Sequence, residues 1–128
     1  MKELNRHEIR VIAMNSVYQH LLIGKDIKKC VFDNMEGSNE ISALLYSLTI
    51  GTIENKEKYI QMIEQRLRQD WSFNRLSILE QSILLISFQE ILEDQQPKAV
   101  VINEAITLAK EYCDDNSYKL INGVLDTL

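Results

Sequence analysis

Proline occurs once, at Pro97, and glycine only at Gly24, Gly37, Gly51 and Gly123. No two-residue hairpin signal separates alternating apolar runs, so strands are hard to place anywhere in the chain. Cysteine is equally sparse. Cys30 and Cys113 lie far apart, with no Cys-x-x-Cys pair and no accompanying histidine spacing, which leaves zinc, redox-motif and disulfide-framework readings without support. Both are read as free thiols, buried or half-buried, and neither a metal nor a cofactor is expected. Long apolar runs are missing too; the longest is a few residues around Ile83 to Ile86, and the opening Met1-Lys2-Glu3-Leu4-Asn5-Arg6 has no apolar stretch and no small-residue cleavage site. No export signal or membrane span is read, so cytoplasmic residence is the default expectation. Net positive charge is absent: the formal charge is −5. That argues against free-standing, sequence-independent binding to nucleic acid, because phosphate attraction needs a net basic surface. A local basic patch stays open.

What is present is an ordinary globular composition, 45% hydrophobic and 26% charged over 128 residues. A chain of this size hides roughly two-thirds of its unfolded surface and needs no staple to fold, so one domain, 1–128, with one core is expected. Apolar residues recur at helical spacing. Ile9, Ile12, Ala13, Val17 and Leu21 form one stripe, widened by Val11, Met14, Tyr18 and Leu22, over a helix from about Asn5 to Ile23 that Gly24 closes. Asp26 can cap a short helix carrying Ile27, Cys30, Val31 and Met35, which Gly37 terminates. Ser38 or Asn39 starts a third through Ile41, Leu44, Leu45 and Leu48, and Gly51 with Asn55 marks a break or kink. The next segment has a narrow apolar stripe, Tyr59, Ile60, Ile63 and Leu67, and reads as peripheral. Ser77-Ile78-Leu79-Glu80 is a capping box opening a helix through Leu92 that is apolar around most of its circumference. Such a helix belongs at the centre of a bundle or under a partner. Pro97 suits the entry to another helix, and Asp114-Asp115-Asn116-Ser117 a turn before a last one, Tyr118 to Leu128. The expectation is an all-α, compact bundle of six to seven helices.

Little here can build a catalytic constellation. His7 and His20 are thirteen residues apart on one helix, no nucleophile elbow or glycine-rich phosphate loop is present, and the acidic pairs Glu93-Asp94 and Asp114-Asp115 fall in turns. No enzyme is expected. Three features bear on recognition instead. Lys2, Arg6, His7 and Arg10 gather at the start of the first helix, where they could bind a phosphate string or form a solvated helix start offset by Glu3 and Glu8. Gln81, Leu85 and Gln89 form a stripe that reads as exposed recognition surface or as core. Asn103-Glu104 interrupts an apolar face and is read as structural.

The C-terminal half carries a resemblance. Val100-Val101-Ile102-Asn103-Glu104-Ala105-Ile106-Thr107-Leu108-Ala109-Lys110 and Lys119-Leu120-Ile121-Asn122-Gly123-Val124-Leu125-Asp126 closely resemble the signature of the NusB family of bacterial transcription antitermination factors. Trp71, Arg75-Leu76, Glu80, Ile83-Leu84 and Glu90 fall on that family's middle pattern, and Arg10, Ala13 and Tyr18-Gln19 on its opening. The resemblance implies two small helical subdomains, about 1–69 and 70–128. It also implies a non-enzymatic partnership with the tenth small-subunit ribosomal protein, acting as NusE, and binding to the boxA element of single-stranded nascent RNA within an RNA polymerase antitermination complex.

Carried onto this chain, the resemblance makes Lys2, Arg6, His7 and Arg10 phosphate contacts, with Tyr18 a stacking or core residue and Asn116, Lys119 and Leu120 further RNA contacts. Glu80 and the stripe Gln81, Leu85 and Gln89 become the partner face. Relatives often hold more arginines at His7 and Glu8, an acid at Asn116, phenylalanine at Leu120, arginine at Leu85 and tyrosine at Gln89. Two other classes stand beside this reading: a helical accessory module of a ribosomal RNA methyltransferase whose catalysis lies in another chain, and a structural homodimer paired through the Leu85 stripe or the Tyr59 face. The C-terminal half holds most of the acidic surplus, so the overall charge fits a small RNA patch plus a basic protein partner.

Overall fold

The structure is a computed structural model that describes residues 4–36 and 40–128. Among these no strand occurs, and no helix is long and apolar enough to cross a membrane. The helices are α1 (Arg6–Ile23), α2 (Ile27–Asn34), α3 (Ala43–Tyr46), α4 (Thr52–Glu54), α5 (Lys56–Glu64), α6 (Ile78–Leu92), α7 (Lys98–Tyr112) and α8 (Ser117–Asp126). A π-turn, Ser47–Gly51, fuses α3 to α4, and a 3₁₀ turn, Phe73–Arg75, precedes α6.

Local chemistry sets most of the helix ends. Asn5 caps α1 in a reciprocal box with Glu8, each side chain accepting from the other's backbone N–H at 2.8 and 3.2 Å. Gly24 ends the helix in the left-handed region at φ 72°, a backbone conformation that residues with a side chain rarely adopt. Asp26 caps α2. The Ser77–Glu80 box is formed, with bonds of 3.1 and 2.8 Å. The expected third-helix start at Ser38 or Asn39 and the stop at Gly37 lie outside the described residues; α2 runs into Met35, and α3 begins on Ser42, whose Oγ accepts from Leu45 N at 3.1 Å.

The break expected near Gly51 is the π-turn, and a distant glutamine holds it. Gln89, on α6, donates from Nε2 to Ser47 Oγ at 3.1 Å, while its Oε1 accepts from Tyr59 Oη at 2.5 Å and Asn55 Nδ2 at 3.3 Å. A Cβ on Gly51 would come within 2.5 Å of Gln89 Nε2, so glycine is needed here for close approach. The widened turn lets the chain bend over α6 without leaving that amide unpaired.

Helix α6 is the axis of the molecule. Every residue from Gln81 to Glu90 is buried, and α1, α5, α7, α8 and the π-turn pack around it. Of the two placements its circumference allowed, the centre of the bundle is the observed one. One buried cluster runs through both halves of the chain, from Ile9, Ala13, Val17 and Cys30 through Leu48, Tyr59 and Ile63 to Leu85, Phe88, Leu108 and Leu125.

Candidate nucleic-acid interface

The basic cluster at the start of α1 does not survive folding as a cluster. Lys2 lies outside the described residues. Arg10 is buried, and its guanidinium meets Glu90 in two parallel bonds, Nε to Oε1 at 3.0 Å and Nη2 to Oε2 at 2.5 Å. Its Nη1 also lies 3.8 Å from Glu104. His7 is half-buried between two carboxylates on α7, with Nδ1 3.5 Å from Glu104 and Nε2 3.7 Å from Glu111. Arg6 remains exposed. The phosphate role expected for Arg10 is therefore corrected: its donors are committed to Glu90 inside the protein, where breaking the pair would strand a buried charge.

The stripe Gln81, Leu85 and Gln89 is corrected as well. Leu85 is completely enclosed, Gln81 donates to the carbonyls of Phe73 and Leu76 at 3.0 and 3.1 Å, and Gln89 holds the π-turn. None of the three presents a partner face, because neighbouring helices cover α6 on that side. Tyr59, the other surface offered for a homodimer, is also buried. Asn103 and Glu104 separate: Asn103 is exposed, and Glu104 faces Arg10 and His7 between α1 and α7.

The remaining predicted residues come together elsewhere. Asn116, Lys119 and Leu120, at the start of α8, line an open groove of about 1160 Å³ together with Glu80 at the start of α6. The segment after α5 contributes Arg66, Arg68 and Trp71 to the same lining. Sequence reasoning left these three out as contacts, although an Arg-Leu-Arg run followed by tryptophan in a loop was the available signal. Trp71 is 42% exposed, and the Arg75 guanidinium stands over its ring, 5.9 Å from the centroid. Arg66 donates from Nη1 to Met62 O at 2.9 Å while its Nε has no hydrogen-bond partner. Outside the groove lining, Lys110 lies over the Tyr118 ring of α8, 4.7 Å from its centroid.

Tyr18 does not line this groove. It borders an adjoining depression of about 270 Å³ with Ser77, Leu79 and Tyr112, and the two cavities meet at Cys113 and Asp114. Cys113 is no nucleophile: burial, reinforced by the Glu80 and Asp114 carboxylates, pushes its thiol up to about 11, so it stays protonated near neutrality. The arrangement offers cations, exposed aromatic surface and carboxylates along an open cleft. That suits binding an extended polymer better than enclosing a small substrate.

The family model that describes the NusB family matches residues 7–128. The transcription antitermination protein NusB of Bacillus cereus strain B4264 is 35% identical over 127 residues, covering 98% of this chain and 97% of that protein. That of Bacillus anthracis strain A0248 has the same identity and coverage. Among solved structures, T. maritima NusB superposes with a TM-score of 0.87 at 27% identity, over 98% of this chain and 91% of that one. A chain from the crystal structure of antitermination factors NusB and NusE in complex with dsRNA shares the fold, with a TM-score of 0.83 at 23% identity over 95% of this chain and 93% of that one. The chain belongs to the NusB family.

Proposed function

We propose that this chain is a non-catalytic transcription antitermination factor that pairs with the small-subunit ribosomal protein acting as NusE and binds boxA RNA of ribosomal RNA operons, promoting read-through by RNA polymerase. The observation that carries the RNA part is the groove, where Lys119, Arg66 and Arg68 stand with Trp71 along one open cleft. Cations that take phosphates and an aromatic face that takes bases are the elements of single-strand binding. Asn116 and Leu120 add a polar and an apolar contact at the start of α8, while exposed Arg6 supplies a second, smaller source of positive charge and His7 a polar contact beside it; the contact expected from Lys2 lies outside the described residues. Tyr18 and Tyr112 would continue the surface from the groove.

A net charge of −5 supports a basic partner. With Gln81, Leu85 and Gln89 enclosed, Glu80 is the member of the expected partner face that still reaches a surface. The test is a titration of fluorescently labelled boxA-like RNA with this chain, with the ribosomal protein, and with both. The mixture should bind more tightly than either protein alone and should discriminate against a scrambled RNA. Equal binding of the scrambled sequence would overturn the reading.

A further inference from the structure

Trp71 is the only tryptophan of the chain, and it stands at the rim of the groove between two arginine-bearing segments. We propose that Trp71 is a stacking platform for one unpaired nucleobase, with Arg66 and Arg68 holding the phosphates on either side of it. The proposal rests on the RNA-binding reading above and assigns the base-binding position within that groove.

Four observations converge on it. Nearly half of the Trp71 side chain faces solvent although it is among the largest apolar groups in the protein, and leaving such a ring uncovered has no packing benefit. The ring is oriented, since Arg75 stands over it and is itself anchored by a 2.6 Å bond from Nη1 to Asp70 O. A held aromatic loses little freedom when a base stacks on it. Arg66 lines the groove and is tethered there by the bond from Nη1 to Met62 O, and among the described residues no hydrogen bond or ion pair commits its Nη2. Finally, the turn before α8 adds Asp114 and Asp115 to the lining of the same groove. Those carboxylates repel phosphates and accept from base N–H or ribose 2′-OH groups, so in the proposed complex the phosphates keep to Arg66 and Arg68 and the strand turns its bases or sugars toward the Asp114–Asp115 turn.

The groove is larger than the roughly 300–1,000 Å³ of small-ligand pockets, and its open form admits a strand passing through it. A paired base would keep its faces stacked on its neighbours and could not lie flat on the ring, so the platform requires single-stranded RNA.

The experiment uses the full chain mixed with the ribosomal protein and a labelled boxA-like RNA, read by two signals. Anisotropy of the label reports binding, and Trp71 emission, corrected with the Trp71→Phe variant as blank, reports contact with the ring. Single-stranded RNA should quench Trp71, whereas the same RNA annealed to its complement should leave it bright. Trp71→Ala should weaken binding roughly 5- to 150-fold while Trp71→Phe keeps most of it. Arg66→Gln with Arg68→Gln should lower the slope of log affinity against log salt by about 1.4, on the basis of about 0.7 per phosphate contact. If the RNA binds by anisotropy yet Trp71 emission does not change, or Trp71→Ala binds as the parent does, the platform is wrong and the RNA-binding reading stands. Equal quenching by duplex would overturn the requirement for an unpaired base. Should no RNA change the anisotropy, the RNA-binding reading fails and the platform with it.

Discussion

Arg10 and Glu90 are eighty positions apart in the chain and form a bidentate pair with both side chains nearly fully enclosed. Burying two charges costs several kcal/mol each, and the two parallel bonds offset this cost only while both partners are present. Arg10→Ala should therefore lower unfolding stability by about 3–5 kcal/mol, measured by chemical denaturation, since it strands the Glu90 carboxylate. Arg10→Met combined with Glu90→Leu should recover most or all of that loss. If the single variant cost less than about 1 kcal/mol, the pair would not be the buried contact described here. The same chemistry explains why the residue was misread. Arginine four positions after Arg6 at a helix start looks like a phosphate contact by local spacing, and nothing local to it announces a carboxylate on another helix.

At the scale of elements, the helix ends were largely legible. Gly24, Asp26 and the Ser77–Glu80 box act on backbone groups within four residues of themselves, so their meaning does not depend on the rest of the fold. The π-turn was legible only as an interruption near Gly51 and Asn55. Its form is set by Gln89, which needs partners inside the core and finds Ser47, Asn55 and Tyr59. Gly51→Ala would push a methyl group against that amide. We expect it to lower stability by about 1–3 kcal/mol in a thermal or denaturant melt, with helix content largely kept. A variant as stable as the parent would mean that the Gln89 amide can swing aside without losing its bonds. Helix α6 posed a different difficulty. An apolar circumference states that a helix is covered and leaves open by what, so the Leu85 stripe looked as suited to a partner as to the core.

For the whole molecule, charge is distributed differently from its linear pattern. Folding ties Arg10 to Glu90, brings His7 beside Glu104 and Glu111, and leaves Arg6 exposed on α1, while Arg66, Arg68 and Lys119 gather about the groove. The exposed cations thus stand in two separate places, Arg6 on α1 and the groove, where Glu80, Asp114 and Asp115 stand among them, in place of the single cluster read from the first helix. Arg6→Glu should thus leave the fold unchanged by circular dichroism and reduce the salt slope of boxA-like RNA binding by about 0.7, the value of one phosphate contact. A slope that did not move would place the bound strand away from the start of α1. Replacing Arg10 by an acid would act through stability, since it breaks the buried pair with Glu90, so Arg6 alone reports on contact at the start of α1.

The all-helical class, most helix boundaries and the NusB resemblance were readable in the residues alone. Each rests on short-range chemistry or on motif blocks that are contiguous in the chain. Tertiary structure alone decided that Arg10, Gln81, Leu85 and Gln89 belong to the interior, and that Arg66, Arg68 and Trp71 line one groove with Asn116, Lys119 and Leu120. The reason is common to both results. Whether a charge or an amide is free depends on which distant group comes within about 3 Å of it, and a linear pattern carries no such distances.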